Sequence, residues 1–274
     1  MYQRKIFEAG HMHLWDAKGD NEVNEGRISH CHKECEVYYM VDGESEFHVE
    51  GRVFNLFSDS VLLIPSNYFH GWKYPPGKIH HRITIHFLPE LLNKTERDYF
   101  LNLFTEPLHF MGDSQHDLKF YVHALTDCSL MELHFQKLAA RIRTIALLTQ
   151  IYYLRSTKAA KPVVLNERIS EIVLYLEEHL KDDITMEDLS SRFHITKNHL
   201  HFIFHKMVGT PLMKYIAIKR LGLARQDILN GKQIGEAARL AGFNEYTSFY
   251  RAYKAFYGSS PSKLLSSGVN ASIS

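Results

Sequence analysis

Apolar positions recur along this chain with two different periods. Through roughly the first 90 residues they come in short runs rich in Val, Ile, Tyr and Phe, broken by Gly, Pro, Asn and Asp. These runs are GRISHCHKECEVYYMVDG, ESEFHVEGRVFNLF, SDSVLLIPSNYFHGW and HHRITIHFL. They predict strands, and many short, evenly spaced strands predict a barrel or jelly roll. From about Leu91 the period lengthens to that of a helix. Leu91–Phe104, Asp117–Asp127 and Met131–Arg155 read as helices, the last with Leu133, Leu138, Ile142, Ile145, Leu148 and Tyr152 near one face. Ser156–Pro162 is small and polar and reads as a linker. Glu167–Leu180 then forms an amphipathic helix with Ile169, Ile172, Val173, Leu176 and Leu180 on its core face. The expected class is α+β multidomain: a β-barrel over residues 1–90, a helical region over 91–160 and an all-α domain over 161–274.

The last ~100 residues contain one pattern twice. The first copy runs from Asp183 to Pro211 and the second from Gln233 to Pro261. Leu189 matches Ala237, Phe193 matches Ala241 and Thr196 matches Asn244, all 48 residues apart. Leu200 matches Phe249 and Phe204 matches Tyr253 at 49, so the second copy has an extra residue, expected early in its second helix. Each copy reads as helix, tight turn, helix, the arrangement that lays a recognition helix in the major groove of DNA. Thr185 caps the first helix with Asp188 three residues on, and Thr196 caps the second, whose buried stripe is Leu200, Ile203, Phe204 and Met207. In the second copy Gly242 supplies the turn, Asn244 the cap, and Phe249, Tyr253 and Phe256 the inner face. A long helix, Pro211 to about Leu229, joins the copies through Tyr215, Ile216, Leu221, Ala224 and Ile228. Such a rod suits two helices reading adjacent major-groove faces about 34 Å apart.

Charge changes the picture only locally. The 274-residue chain carries 32 Lys and Arg against 31 Asp and Glu, a net +1. From Leu189 to Lys263, however, twelve basic residues face three acidic ones, and from Lys161 to Asp188 three face eight. Basic charge is therefore concentrated where phosphates would be met. At 45% hydrophobic the chain is long enough for two cores, and no apolar run approaches the ~18 residues of a membrane span. The N-terminus lacks the apolar region of a signal peptide. Three cysteines, an odd number, argue against a disulfide framework and for a reducing cytoplasm.

Ile234, Glu236, Ala237, Ala241, Gly242, Phe243, Phe249, Arg251, Lys254, Phe256, Gly258 and Pro261 form a long, specific signature. On these residues the C-terminal ~100 residues resemble the AraC/XylS family of bacterial transcription regulators. Tyr253 stands where a Phe is usual, Leu264 and Leu265 where Tyr-Arg is common, and Phe202 where the first recognition helix often has Arg. The resemblance implies base-edge contacts from Asn198, His201 and Phe202 in the first helix and from Tyr246, Thr247, Tyr250 and Arg251 in the second. Arg251 suits guanine, Asn198 adenine and the aromatics thymine methyls. Lys197, His199, Lys206 and Lys254 are better placed for phosphates.

In the strand-rich half, the spacing His30-x-His32-x3-Glu36-x6-Gly43 is similar to the first cupin motif. Pro65-x-Asn67-x2-His70 is similar to the core of the second, although Asp59 and Tyr74 stand where Gly and Asn are expected. Many AraC/XylS members place a cupin-like sensor before the DNA-binding domain. On a strand, residues 30, 32 and 36 share parity and point into the barrel, while Cys31 and Cys35 point away. His30, His32, Glu36 and His70 are the ligand-site candidates. Two uses stay open: hydrogen bonds to a bound sugar with Trp72 or Tyr38 as a stacking face, or coordination of Zn²⁺, Ni²⁺, Fe²⁺ or Mn²⁺. His80, His81 and His86 read as strand or edge residues.

The expected function is a cytoplasmic, ligand-responsive, sequence-specific DNA-binding regulator, an activator of carbohydrate-related genes rather than an enzyme. Its implied partners are a double-stranded operator, a small-molecule effector, RNA polymerase and a second copy of the chain, held through the helices after the barrel. The alternative is a metal-dependent cupin sensor, or a cupin enzyme with an appended DNA-binding domain.

Overall fold

A computed structural model describes residues 2–9, 11–20, 29–111, 118–160, 163–164 and 167–269. Asp117 at the start of the second expected helix, and Lys161 and Pro162 of the expected linker, lie outside these residues.

The strands form in the expected runs, with two more ahead of them. β1 (Tyr2–Ala9) and β2 (Met12–Asp20) precede β3 (Cys35–Asp42), β4 (Glu44–Val49), β5 (Arg52–Phe57), β6 (Ser60–Ile64), β7 (His70–Lys73) and β8 (Ile79–Phe87). The run ESEFHVEGRVFNLF is two strands, folded at Glu50 and Gly51, both at positive φ, as a two-residue hairpin requires. β9 (Leu108–Met111) comes from the helical region, β10 (Ala159–Ala160) from the expected linker, and β11 (Val163–Val164), which pairs with β5, from the start of the segment expected to be all-α.

The expected barrel or jelly roll takes the form of a pair of sheets, ordered β1-β2-β8-β3-β6-β9-β10 and β11-β5-β4-β7. Strand parity explains the layering. On β3, Cys35, Val37 and Tyr39 face outward into a core shared with the helices, while Tyr38 and Met40 face the second sheet. β6 does the same with Val61 and Leu63 outward and Leu62 and Ile64 inward. The space between the sheets is filled by Tyr38, Met40, Phe47, Val49, Phe54, Leu56, Leu62, Ile64 and Tyr74.

Three helices cover the outer face of the larger sheet: α1 (Lys94–Phe100), α2 (Leu118–Thr126) and α3 (Leu133–Lys158). A capping box between Asn93 and Glu96 starts α1. Residues 91–160 share a core with the sheet, so the division expected at residue 90 is not a structural boundary. On α3 the buried stripe is Ala140, Thr144, Leu147, Leu148, Ile151 and Leu154. Of the apolar positions expected near one face, Leu133, Leu138, Ile142 and Tyr152 are exposed and Leu148 is buried.

The C-terminal unit consists of α4 (Glu167–Glu178), α5 (Met186–Arg192), α6 (Lys197–Val208), α7 (Leu212–Leu229), α8 (Ile234–Leu240), α9 (Tyr246–Tyr257) and α10 (Pro261–Val269). Thr185 and Asp188 form the expected capping box, and Thr196 caps α6. Asn244 does not cap α9: the cap is Glu245, which makes no side-chain bond. Residues 193–196 separate α5 from α6, whereas residues 241–245 separate α8 from α9. The extra residue of the second copy therefore lies in the turn, not the helix, and moves the start of α9 past Asn244. Gly242 is left-handed at φ +90, and a Cβ there would meet Leu180 O at 2.8 Å. Its counterpart in the first copy, His194, holds the same region at φ 53. Among the described residues no helix is long and apolar enough to cross a membrane.

Candidate effector site and nucleic-acid interface

The cupin-like residues converge, although not by the strand parity expected of them. The chain bends at Lys33 and Glu34, so residues 30–36 are not one strand. His30 instead pairs across a single antiparallel bridge with His70, through His30 N–H to His70 O and His70 N–H to His30 O, both 2.9 Å. Glu36 comes from β3. The ring centroids of His30 and His70 are 4.2 Å apart, and those of His32 and His70 4.9 Å. His32 Nε2 and His70 Nε2 each lie 3.1 Å from Glu36 Oε2. Cys31 and Cys35 face away, as expected, into the cores of the DNA-binding unit and the helix-covered sheet.

One member of this cluster was missed from sequence. In the β3–β8 ladder His86 lies directly opposite Glu36, and its Nε2 is 3.8 Å from Glu36 Oε1. Burial pushes the His86 imidazole down to about 3, so the ring is neutral. Burial works against the charge of Glu36, but His86, His32 and His70 around it hold the carboxyl well below its ordinary range. His32 also loses by burial, and is raised on balance by its bond to Glu36. Only the register of β8 against β3 exposes the role of His86; its spacing along the chain gives no signal.

The expected stacking aromatics are already engaged. Tyr38 is fully buried, with its hydroxyl 2.9 Å from that of Tyr74 and Phe47 edge-on at 4.9 Å. Trp72 has the Arg82 guanidinium 4.5 Å over its ring, Phe47 stacked at 5.9 Å and His30 edge-on at 5.5 Å. Neither is a free platform for a sugar ring. A cleft of about 410 Å³ opens elsewhere, between this unit and α7, lined in part by Tyr68, Phe104, Glu177, Lys219, Leu223 and Arg225.

The two units meet through the same segments that carry the histidines. Ser29 donates to Val208 O at 2.7 Å, and Phe69 and Cys31 pack into the core of the first helix-turn-helix. Asn67 donates to the Tyr257 hydroxyl at 3.2 Å. On the hairpin between β4 and β5, Glu50 accepts from the Tyr215 hydroxyl at 3.0 Å and pairs with Lys219 at 2.9 Å. Tyr68 donates to Glu177 at 3.2 Å, and Lys219 Nζ lies 3.1 Å over the Tyr68 ring. Arg225 pairs with Glu90. Gly222 permits the approach of α7, since a Cβ there would stand 2.5 Å from Asn67 Nδ2.

On the far side of the DNA-binding unit, Lys197, Asn198, His199, His201, Phe202 and Lys206 of α6 are all exposed. So are Tyr246, Thr247, Tyr250, Arg251 and Lys254 of α9. Phe202 is 61% and Tyr246 50% exposed. Each recognition helix thus presents a polar-aromatic face opposite its buried stripe: Leu200, Phe204 and Val208 in α6, and Phe249, Tyr253 and Tyr257 in α9. Several of the twelve basic residues counted in this unit are engaged within the protein, among them Lys197 with Glu187 and Lys232 with Asp227. Lys219 and Arg225 make the pairs above, and Arg220 donates to Leu180 O and Asp182 O.

The family described as AraC-like ligand binding domain matches residues 20–150, and the family described as helix-turn-helix domain matches residues 189–267. The probable transcriptional regulator LumQ of Photobacterium leiognathi is 24% identical over 245 residues, which is 88% of this chain and 93% of that protein. The HTH-type transcriptional activator AarP of Providencia stuartii is 33% identical over 105 residues, 37% of this chain and 78% of that protein. Among solved structures, ToxT from Vibrio cholerae aligns with a TM-score of 0.41 at 11% identity, over 94% of this chain and 99% of that one. The chain belongs to the AraC/XylS family of transcription regulators, with an AraC-like ligand-binding unit joined to a DNA-binding unit of two helix-turn-helix motifs.

Proposed function

We propose that the protein is an effector-controlled transcriptional activator of the cytoplasm, working as a homodimer and recruiting RNA polymerase rather than catalysing a reaction. One observation carries the effector control. The backbone segments at Ser29–His32 and Asn67–His70 hold His30, His32 and His70 on one side and, through Ser29, Cys31, Asn67 and Phe69, the DNA-binding unit on the other. A ligand that shifts these segments has differential contacts with the two arrangements of the DNA-binding unit, as a population shift requires.

A carbohydrate is the effector class we favour. With Trp72 and Tyr38 engaged, the interdomain cleft of about 410 Å³ is the better fit for a molecule of that size. Tyr68 and Glu177 on its wall, hydrogen-bonded to each other at 3.2 Å, are among its polar groups. The exposed α3 face of Leu133, Leu138, Ile142 and Tyr152 supplies the dimer contact. The double substitution Leu138→Asp with Ile142→Asp yields monomers in sedimentation of the full chain; an unchanged mass removes α3 from the interface.

The DNA contacts expected from sequence are proposed as they stand: Asn198, His201, Phe202, Tyr246, Thr247, Tyr250 and Arg251 to base edges, and Lys197, His199, Lys206 and Lys254 to phosphates. Selection of duplexes from a random pool by the full chain returns a site with two half-sites about one helical turn apart. Recovery of no consensus, or of a single half-site, contradicts this reading.

A further inference from the structure

We propose that His205 is a DNA-phosphate contact of the first recognition helix, gripping one phosphodiester together with Lys206. This rests on the reading of the exposed α6 face as a DNA interface. It adds a residue to that face and a condition on its use, because the grip follows the charge of an imidazole.

The two copies place His205 and Lys254 alike. Both recognition helices end at a left-handed glycine, Gly209 at φ 86 and Gly258 at φ 73. The Gly209 N–H donates to His205 O, and the Gly258 N–H donates to Lys254 O. His205 therefore holds in α6 the position that Lys254 holds in α9, 49 residues on. Lys254 is the phosphate contact proposed for the second copy. The same alignment sets Phe202 against Arg251, so α6 lacks the fixed cation of α9 at both positions.

The surroundings of His205 suit an anion. His201, Phe202, His205, Lys206 and Pro211 line an open pocket of about 340 Å³, with room for a phosphodiester. The His201 and His205 rings stack at 6.3 Å, and Lys206 Nζ lies 5.9 Å from the Phe202 ring centroid. In this pocket the titratable neighbours of His205 are His201 and Lys206, and the residue before α7 is the uncharged Pro211. α4, α5 and α7 pack on the other side of α6, against Leu200, Phe204 and Val208. Glu187 pairs with Lys197, at the far end of the helix. Among the described residues no carboxylate pairs with His205 or Lys206. A pocket edged by basic groups alone attracts an oxyanion.

An imidazole changes its charge between about pH 5 and 8, whereas Lys and Arg keep theirs. A phosphate oxygen beside it favours the charged form. The first copy therefore holds DNA more tightly as pH falls through this range. The second, with Tyr246, Thr247, Tyr250, Arg251 and Lys254 on its face, does not.

The test is quantitative footprinting of the full chain on its selected duplex at about pH 8 and about pH 6. The half-site read by α6 is expected to bind about five-fold tighter at the lower pH, with a salt dependence steeper by about one phosphate contact. The half-site read by α9 is expected to stay unchanged. His205→Lys brings the affinity at the higher pH up towards that at the lower, and His205→Gln holds the affinity at the lower pH down towards that at the higher. A pH response of equal size at both half-sites, or an α6 half-site indifferent to both substitutions, overturns the assignment. Failure to select any duplex at either pH would instead remove the DNA reading on which it rests.

Discussion

The two helix-turn-helix copies have nearly the same skeleton and different attachments. The first, α5 and α6, shares its core with the sensing unit: Phe69 is part of that core and Cys31 packs against it. The second, α8 and α9, has a core drawn from α7 to α10 alone, including Ala237, Phe249, Tyr253 and Leu264. Polar contacts, Asn67 to Tyr257 and Glu90 to Arg225, join it to the sensing unit. Buried apolar packing is stiff and transmits displacement, whereas individual hydrogen bonds yield at modest cost. If the histidine cluster is the sensing site, as we propose, its signal reaches the first copy directly and the second chiefly through the α7 rod.

The strongest way to break this comparison is to cut the packed link. Phe69→Ala removes a buried ring and costs about 3–5 kcal/mol of unfolding free energy, read by denaturant titration of the full chain. A loss below about 1 kcal/mol would mean that the shared core is incidental.

Acid separates the two units next. Burial lowers the His109 imidazole of β9 to about 4 from its ordinary 6.5. Its folded pKa lies below the unfolded one, so the stability it supports is complete above pH 6.5 and lost as pH falls toward 4. The loss is on the order of 2–3 kcal/mol over that window. His199, His201 and His205 of the DNA-binding unit are exposed. The sensing unit therefore melts first on acidification, and His109→Gln flattens the profile. Loss of α6 and α9 helicity ahead of the sheets would reverse this order.

The second copy is sharpened by its arginine. Arg251→Ala costs about 1–3 kcal/mol on the selected duplex and relaxes base choice at one position. Equal losses on selected and random DNA would remove Arg251 from base readout. The smallest effect belongs to the polar link: Tyr257→Phe loses its bond to Asn67 at about 1 kcal/mol, with the first copy's DNA contacts unchanged.

The C-terminal unit was legible in the sequence almost to the residue, because helix caps and buried stripes are local signals. Thr185, Asp188, Thr196 and the face of α4 declare themselves within one or two turns. Asn244 misled because a good capping residue sat one position before the actual cap, and the inserted turn residue shifted the frame. The sandwich was legible as strands but not as sheets. Strand partners such as β9, drawn from beyond Leu91, depend on contacts across long separations. His86 joined the cluster only through the β3–β8 register, and Tyr38 and Trp72 looked available only because their neighbours Tyr74 and Arg82 were unknown. On α3 the exposed and buried faces are both apolar at helical spacing, so periodicity alone did not tell which one packs on the sheet.

The central claim is that the segments bearing His30, His32 and His70 govern the first recognition helix in preference to the second. Footprinting of the full chain and of Phe69→Ala on the selected duplex tests it most directly, with half-sites assigned by Asn198→Ala and Arg251→Ala. The account predicts that Phe69→Ala weakens protection over the half-site read by α6 while protection over the half-site read by α9 persists. Equal weakening of both half-sites, or of neither, would contradict it.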